Sequence, residues 1–366
     1  MTYNIYDYLN FRGDLSFIKD EFNPVDAVLF SRLSYLPFQL IMNYYSKLTL
    51  KEVQLTLPEQ KDFEKSLILP EDKKLLEEIS KHKRFKDIEV RYFVNDISLK
   101  QEKQFSAVTF ILPNNTAIIT YRGTDKNIVG WKEDFNLSYL DHIPSHVSSI
   151  NYLNEVSKHF ENIILNGHSK GGNLSLYSLT HCDTKIYKKI LKAFNFDGPG
   201  LLENTITDEI KSRADEKMTN YLPQGSIVGI LLKQAGRVKV VSSIEKDFKQ
   251  HYIYSWNVIG NDFLYLPHRT PESLFAESTL NQWVLKLSIE NRQIFFDTIY
   301  ELFTEIGKTQ FEPNITNKDF IKTLGQLTFS LGDLPSEQRR QVIDSVMKLL
   351  KIARKNYILF KSKRRD

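Results

Sequence analysis

The sequence contains almost no cysteine and no long apolar run. Cys182 is the single cysteine among 366 residues, so no disulfide can form within a monomer, and a reducing compartment fits the chain. No stretch approaches the roughly 18 consecutive apolar residues that a membrane-spanning helix needs. The N-terminal stretch MTYNIYDYLNFRGDLSF has no basic segment followed by an apolar one. We therefore expect no secretory signal and a cytoplasmic location.

Neither sign of charge is in strong excess. Lys and Arg number 49 against 45 Asp and Glu, and the net charge of +4 is a weak reason to expect a polyanionic partner. No recognition motif accompanies it, so we expect no nucleic-acid partner. Apolar residues make up 41% and charged residues 26%, which excludes a disordered or fibrous chain. The length suits one large α/β domain with an appendage, or two domains.

Strand-like and helix-like segments alternate through the middle of the chain. Runs rich in β-branched and aromatic residues predict strands at 88–97, 105–112, 117–121, 162–165, 190–196, 218–222, 237–241 and 252–258. Helical periodicity predicts helices at 24–36, 70–81, 129–140, 144–160, 172–180 and 201–213, of which 70–81 has charges on most faces and is expected to be solvated. Asn114 and Asn115 predict a hairpin between two of the strands. This alternation predicts an α/β fold with a mostly parallel sheet covered by helices on both faces.

The character of the sequence changes near residue 270. Helical periodicity covers 274–306 and 319–331, and a last helix begins at Pro335. We divide the chain into an α/β domain over residues 1–270 and a helical extension or cap with a basic tail over residues 271–366.

Basic and apolar residues interleave in the tail, residues 348–365. Two interpretations stay open for a helix of this composition. It makes peripheral contact with an anionic membrane, or it docks its apolar face on the core while its charges stay in water. The second is preferred from the sequence.

One short motif carries candidate chemistry. Residues 167–171, Gly-His-Ser-Lys-Gly, match the pattern G-x-S-x-G, with a buried strand entering and a helix leaving. Gly167 and Gly171 have no side chains that would clash with the neighbouring backbone in the sharp turn. The positive N-terminus of the following helix would stabilise an oxyanion beside Ser169. Ser169 is therefore the candidate nucleophile. The alternative is a glycine-rich turn with an incidental serine.

A serine nucleophile needs a base, and in such folds the base follows it in the chain. His251 lies between two strand-like runs in a loop position and is preferred to His268, which follows Pro267. His181 lies in the helix that leaves the motif and would point elsewhere. His168 is expected to pack under the turn rather than to act.

The base in turn needs a carboxylate to orient it. Asp197 ends a buried strand at the carboxyl edge of the predicted sheet, where sites form in such folds. The rival interpretation is that Asp197 only stiffens the turn Gly198-Pro199-Gly200. Asp247 and Asp262 are weaker candidates.

Several segments together resemble a known group of enzymes. The segments 121–124 (YRGT), 130–135 (GWKEDF) and 166–172 (NGHSKGG) are similar to those of class 3 (fungal-type) lipases of the α/β-hydrolase superfamily. The opening NIYDYL with RGD at 12–14, and the turn FDGPG at 196–200, resemble more closely a family of uncharacterised bacterial lipase-like proteins. The resemblance covers about residues 1–260 and implies an α/β-hydrolase fold.

The resemblance also implies roles for single residues. It makes Ser169 the nucleophile and His251 the base of a serine esterase acting on a carboxylic ester or lipid, with neither metal nor cofactor. Thr124 and the backbone N–H of Lys170 would form the oxyanion hole. Arg122 and Asp134 would form an ion pair that holds the loop of Thr124.

One position departs from the lipase pattern. Class 3 lipases carry the aspartate of the triad in a segment resembling residues 222–228, LPQGSIV, where this chain has Ser226. Either Asp197 supplies the carboxylate from the preceding strand, or only a Ser–His dyad remains. Two functions therefore stay open: a serine esterase, or a degenerate hydrolase fold that binds a lipid or a protein without turnover.

Overall fold

The structure of the protein is a computed structural model that describes residues 3–305 and 335–362. Its strands are β1 Lys47–Thr49, β2 Glu89–Ser98, β3 Lys103–Ile111, β4 Thr116–Tyr121, β5 Asn162–His168, β6 Ile190–Phe196, β7 Met218–Pro223, β8 Arg237–Val241, β9 Val258–Ile259, β10 Asp262–Phe263 and β11 Tyr265–Leu266. Its α-helices are α1 Ile5–Arg12, α2 Pro24–Leu33, α3 Leu50–Thr56, α4 Phe63–Ser66, α5 Glu71–Ile79, α6 Ile128–Asn136, α7 Pro144–Ser157, α8 Lys170–His181, α9 Thr184–Lys189, α10 Asp208–Lys217, α11 Pro271–Lys286, α12 Ile289–Glu305 and α13 Ser336–Ser362.

A single large sheet organises the described part of the chain. Its order is β1-β2-β3-β4-β5-β6-β7-β8-β11, and the five central strands β4 to β8 run parallel. The strands β1 to β3 and β11 add antiparallel edges. Helices connect β4 to β5, β5 to β6 and β6 to β7, whereas residues 224–236 join β7 to β8 without a helix. The predicted α/β-hydrolase fold, with a mostly parallel sheet and helices at the C-terminal end, is confirmed.

Two apolar cores cover the two faces of the sheet. Ile118 and Ile164 point into one core, together with residues of α1, α2 and α5. The next residue on each strand, Ile119 or Leu165, points into the other core beneath α7, α8 and α10. Alternate residues of a strand face opposite sides, so both sides of β4 and β5 must be apolar. This burial explains why the central strands read as nearly continuous apolar runs.

Most predicted elements are found with small shifts at their ends, but two segments differ. The stretch 201–213 is not one helix: Leu201 pairs with Lys233 in an isolated bridge, and α10 begins only after Thr207, whose hydroxyl caps the N–H of Ile210. The stretch 252–258 is not a strand. It contains a short 3₁₀ turn, Ile253–Ser255, after which Trp256 makes one isolated antiparallel bridge with Ser243 and packs against Phe196, and Val258 begins the two-residue strand β9.

The helix predicted over 70–81 is not mainly solvated. In α5 the side chains of Leu75, Leu76 and Ile79 are buried. Asp72 is buried as well, because it forms a two-pronged ion pair with the buried guanidinium of Arg32. One of the charged residues that suggested a solvated helix, Asp72, therefore anchors the helix to the core through its ion pair.

The C-terminal helices pack together and against the α/β part of the chain. The predicted helix 274–306 is divided into α11 and α12 around Leu287, and the predicted helix 319–331 lies outside the described residues. Phe296 of α12 stacks on Phe135 of α6, with ring centroids 5.0 Å apart. The division of the chain at residue 270 stays a prediction. Across residues 3–305 and 335–362, no helix combines the length and the apolar character needed to cross a bilayer.

Candidate active site

Ser169 lies at the apex of the turn between β5 and α8. Its backbone has φ 58° and ψ −134°, a conformation that L-residues rarely adopt. Its N–H donates to Phe196 O at 2.9 Å, and its carbonyl accepts from Gly172 N at 2.8 Å. A strained serine between a buried strand and a helix is the arrangement of a nucleophile elbow.

The two glycines of the motif are required by close backbone contacts. A Cβ atom on Gly167 would lie 2.1 Å from Gly171 O, and one on Gly171 would lie 2.1 Å from Tyr121 O. Real Cβ atoms do not approach backbone oxygen so closely, so no side chain fits at either position without moving β4 or α8. The steric reason predicted for both glycines therefore fits the geometry.

Asp197 follows β6 directly and lies fully buried beside the elbow. Its backbone also lies in the left-handed region, with φ 48°, and its N–H donates to Tyr221 O at 2.8 Å. Its Oδ2 lies 2.7 Å from His251 Nδ1. The rival role of Asp197, stiffening the following turn, belongs instead to Asn195, whose Oδ1 accepts from Gly198 N at 2.9 Å.

The second carboxylate oxygen of Asp197 accepts hydrogen bonds from the loop that follows the neighbouring strand, β7. Ser226 Oγ donates to Asp197 Oδ1 at 2.5 Å, and Gly229 N donates to the same oxygen at 3.1 Å. The residue that stands at the expected aspartate position therefore binds the carboxylate that contacts the histidine.

His251 ends a short 3₁₀ turn, Asp247–His251, and its side chain is 9% exposed. The preceding residue fixes the turn at two points: Gln250 Oε1 accepts from Gly225 N at 2.9 Å, and its carbonyl accepts from Trp256 Nε1 at 2.8 Å. Because Nδ1 faces Asp197, the Nε2 atom is on the opposite side of the ring.

His168 packs directly against His251. Their ring centroids are 4.5 Å apart, and His168 Nε2 lies 2.7 Å from His251 O. A carbonyl only accepts, so Nε2 carries the proton, and Nδ1 accepts from the hydroxyl of Tyr35 at 3.1 Å. Burial lowers the pKa of His168 well below its ordinary value, so the ring is neutral.

The loop after β4 lies against the elbow on another side. A Cβ atom built on Gly123 would lie 3.0 Å from Ser169 Cβ. The hydroxyl of the next residue, Thr124, donates to Asp134 Oδ2 at 2.5 Å. Burial raises the pKa of Asp134 to about 6, opposed by the charge of Lys170 and the hydrogen bond from Thr124.

The expected ion pair between Arg122 and Asp134 is wrong. The guanidinium of Arg122 instead binds Asp125 at 3.0 Å and Asn95 Oδ1 at 3.1 Å. Asp125 is only three residues along the chain and reaches the guanidinium, whereas Asp134 is turned towards Thr124. Both residues still support the loop, each through a different partner.

Lys170, the residue after Ser169, has its side chain in an ion pair away from the candidate site. Its ammonium group is fully buried and lies 2.8 Å from Glu133 Oε2 and 2.9 Å from Gln104 O. Glu133 also accepts from both the N–H and the hydroxyl of Ser145. Only the backbone N–H of Lys170, at the start of α8, is left to face a substrate, because the first helical N–H groups have no partner within the helix.

The remaining sequence candidates lie elsewhere. His181 stacks on Tyr177 with ring centroids 3.9 Å apart, near the far end of α8. His268 and Asp247 are exposed, and Asp262 accepts from the hydroxyl of Tyr265. The structure thus brings Asp197 and His251 into hydrogen-bond contact, and it places His181, His268, Asp247 and Asp262 away from that pair.

A cavity of about 470 Å³ lies between the α/β part and the helices α11 and α12. The loops that follow β6 and β7 form one wall, so the cavity lies at the carboxyl edge of the sheet, as the elbow does. Its apolar lining consists of Leu202, Leu232, Val284, Leu285 and Ile289.

Sequence reasoning missed three features of this site. The partnership of Ser226 with Asp197, the bond from His168 to the carbonyl of His251, and the buried pair of Lys170 with Glu133 all join distant parts of the chain. The lysine directly after Ser169, in a helix with no other Lys, Arg, Asp or Glu, was the one available signal, because a buried ammonium group requires a carboxylate.

Comparisons with known proteins assign the chain to a family. A family model described as Mbeg1-like matches residues 79–301, more than half of the chain, starting and ending later than the resemblance seen in the sequence. The crystal structure of M37 lipase is 18% identical with a TM-score of 0.34, covering 56% of this chain and 68% of that one. A triacylglycerol lipase from Penicillium expansum is 11% identical with a TM-score of 0.31, covering 63% and 82%. No curated protein matches the chain.

Proposed function

The chain belongs to the Mbeg1-like family, and we propose that it is a serine hydrolase that cleaves carboxylic esters of lipids or other apolar acyl compounds. The observation that carries the proposal is the hydrogen bond of 2.7 Å between Asp197 and His251, beside the strained elbow of Ser169. A nucleophile elbow with a carboxylate-oriented histidine is the arrangement that acyl transfer needs.

In the proposed reaction His251 acts first as base and then as acid. Asp197 holds the proton on Nδ1, so the lone pair of Nε2 accepts the proton of Ser169 as Oγ attacks the ester carbonyl carbon. The imidazolium then gives this proton to the departing alcohol, which leaves an acyl group on Oγ. Water, deprotonated by His251, then attacks the acyl carbon. The bond between this carbon and Oγ breaks, the imidazolium returns the proton to Oγ of Ser169, and the carboxylic acid is released.

The negative charge that develops on the carbonyl oxygen is assigned to two backbone donors. Lys170 offers its N–H at the positive end of α8. Thr124 offers its own N–H, since its hydroxyl proton is donated to Asp134 while that carboxyl is ionised. The donor assigned at Thr124 is therefore its backbone N–H and not its hydroxyl group.

An apolar acyl group is proposed because of the aliphatic part of the cavity at the sheet edge, whose leucine, isoleucine and valine side chains would contact an acyl chain. The rest of the lining is largely polar and includes Asp141, Glu203, Lys233 and Arg292. Ser273 Oγ donates to Ser226 O at 2.8 Å, so the helix α11 that covers the cavity starts at the loop that holds Asp197.

The alternative of a binding protein without turnover rests on the serine at position 226. Although this chain has a serine at position 226 where class 3 lipases have aspartate, His251 still has a carboxylate partner, Asp197. Ser226 itself donates a hydrogen bond to that carboxylate. This arrangement supports the enzyme over the alternative.

The proposal is tested with p-nitrophenyl esters from acetate to dodecanoate. The native protein should hydrolyse them with a preference for the longer chains, and Ser169→Ala should lower kcat by about 10⁴-fold or more. Ser175→Ala is the matched control: its hydroxyl is buried in the same helix, and in the described residues no partner accepts or donates to it. Equal rates for native protein and Ser169→Ala would reject the proposed nucleophile.

A further inference from the structure

The helix α13 presents two apolar faces. One face docks on α11 and α12: Ile352 packs with Trp283 and Leu287, and Trp283 Nε1 donates to Ser345 O at 2.8 Å. Asn356 Nδ2 donates to Thr279 Oγ1 at 3.1 Å, which extends this contact along the helix. The docking that the sequence favoured for the tail is therefore present, but it uses only one face.

The second apolar face is exposed. We define the outer face of α13 as Ile343, Val346, Met347, Leu350 and Ile358. Met347, Leu350 and Ile358 are 58%, 56% and 62% exposed. At 100° per residue all five lie within about 120° of one another, on the side away from Ser345 and Ile352. The exposed Arg354 lies in the same sector, between Leu350 and Ile358, so the stripe is apolar from Ile343 to Leu350 and carries one basic residue before Ile358. A row of exposed apolar side chains of this extent marks a surface that contacts another apolar phase.

Positive charge borders the outer face along one side. The helix contains seven basic and two acidic residues, and no acidic residue follows Asp344 within it. Lys348, Lys351 and Lys355 are all exposed and lie on the same flank of the outer face. A stripe of this kind with a basic flank is the pattern of a helix that lies in the plane of an anionic membrane.

We propose that the outer face of α13 docks this protein on an anionic lipid surface, with the apolar stripe in the interface and the lysines on the headgroups. A second copy of the chain is the less suitable partner, because two basic flanks would meet with like charges. The inference goes beyond the proposed hydrolase function and holds whether or not the protein turns over an ester.

Co-sedimentation with vesicles tests the proposal. The full chain is mixed with vesicles of phosphatidylcholine alone or with 30% phosphatidylserine, about one anionic lipid in three, a typical anionic surface. Native protein should bind the mixed vesicles at least about 10-fold more strongly, and the difference should shrink as salt is raised. Equal binding to both vesicles, or none to either, would overturn it.

Two variants locate the contact. Leu350→Ser/Ile358→Ser should lower the partition coefficient between water and vesicles by about 10-fold or more. The double variant removes two aliphatic side chains that the proposal buries in the membrane interface. Lys348→Glu/Lys351→Glu/Lys355→Glu should lower it by about 100-fold, since each lysine near the surface contributes about 5-fold.

A matched charge control separates a local contact from a net-charge effect. Lys185→Glu/Lys188→Glu/Lys192→Glu changes three exposed lysines on and after α9 by the same charge, and it should leave vesicle binding unchanged. All three variants should keep hydrolysis of a soluble short-chain ester. A native dimer in sedimentation that Leu350→Ser/Ile358→Ser converts to a monomer would instead make the outer face an interface between copies.

Discussion

Asp197 Oδ2 lies 2.7 Å from His251 Nδ1, and the carboxylate reaches the histidine from the loop after β6 rather than from the loop after β7. The β7 loop still contributes, because Ser226 donates to the other oxygen of the same carboxylate. A carboxylate that has hydrogen-bond partners on both oxygens is fixed in position, here against the imidazole of His251. This relationship is the basis of the predictions on catalysis.

Asp197→Asn should lower kcat by about 10⁴-fold, because the amide no longer stabilises the imidazolium and favours the wrong tautomer. The measurement is kcat for p-nitrophenyl octanoate at neutral pH. Asp247→Asn, four residues before His251 on the exposed side of its turn, is the control and should keep full activity. A drop of less than 10-fold in Asp197→Asn would contradict the role of the carboxylate.

Ser226→Ala should lower kcat/KM by roughly 10-fold. Removing the hydroxyl takes away one of the donors that hold Asp197 in position, so the carboxylate is less well placed against His251. Ser226→Thr, which keeps the hydroxyl, should retain the native kcat/KM. A native kcat/KM in the alanine variant would show that Ser226 does not act through Asp197.

His168→Leu should lower kcat by about 10- to 100-fold, because it removes the N–H that holds the carbonyl of His251. Tyr35→Phe is the matched control: it removes the bond to the other nitrogen of His168 but leaves the bond to His251. Only a few-fold loss is expected there. Equal losses in the two variants would indicate a general packing effect instead of positioning.

Asp134→Asn should stabilise the protein at neutral pH. Burial raises the pKa of Asp134 from 3.8 to about 6, so between these values the folded state binds more protons than the unfolded state. The contribution of this group to stability therefore falls as pH rises through that window, by about 3 kcal/mol in total. Urea unfolding at pH 4 and pH 8 should show a variant-minus-native difference that grows with pH. A constant difference would mean that Asp134 keeps an ordinary pKa.

Lys170→Met should lower the free energy of unfolding by about 3–5 kcal/mol, because it leaves the Glu133 carboxylate buried without its counter-ion. Adding Glu133→Gln should restore part of the loss, since the amide oxygen still accepts from Ser145. Urea denaturation of the single and double variants gives both values. A double variant less stable than either single one would contradict the pairing.

The sequence predicted the fold, and the contact between Asp197 and His251, for physical reasons. Buried parallel strands must be apolar on both faces, so β5 and β6 were visible as short apolar runs that lead to Ser169 and Asp197. Residues that directly follow parallel strands meet at one edge of the sheet, and this rule selected Asp197. His251 was selected by its loop position and by the chain order serine, acid, histidine that such folds use.

The same reasoning failed where a segment's partner is set by tertiary packing. The apolar run 252–258 was predicted as a strand, but Trp256 makes only one isolated bridge, with Ser243, and is buried by the rings of Phe196 and Phe263. The ion pair of Arg122 with Asp134 was carried over from a resemblance, and a nearer carboxylate, Asp125, takes the guanidinium. Choices among several nearby carboxylates depend on side-chain direction, which sequence spacing does not give.

The central claim, that Ser169 is an activated nucleophile, is tested most directly by labelling with a fluorophosphonate probe and locating the adduct by mass spectrometry. Such probes react with a serine that a base and an oxyanion hole activate. We predict one adduct, on Ser169, in the native protein and in Ser175→Ala. No adduct is expected in Ser169→Ala, and a much slower reaction is expected in Asp197→Asn. An unlabelled native protein, or labelling that persists in Ser169→Ala, would contradict the account.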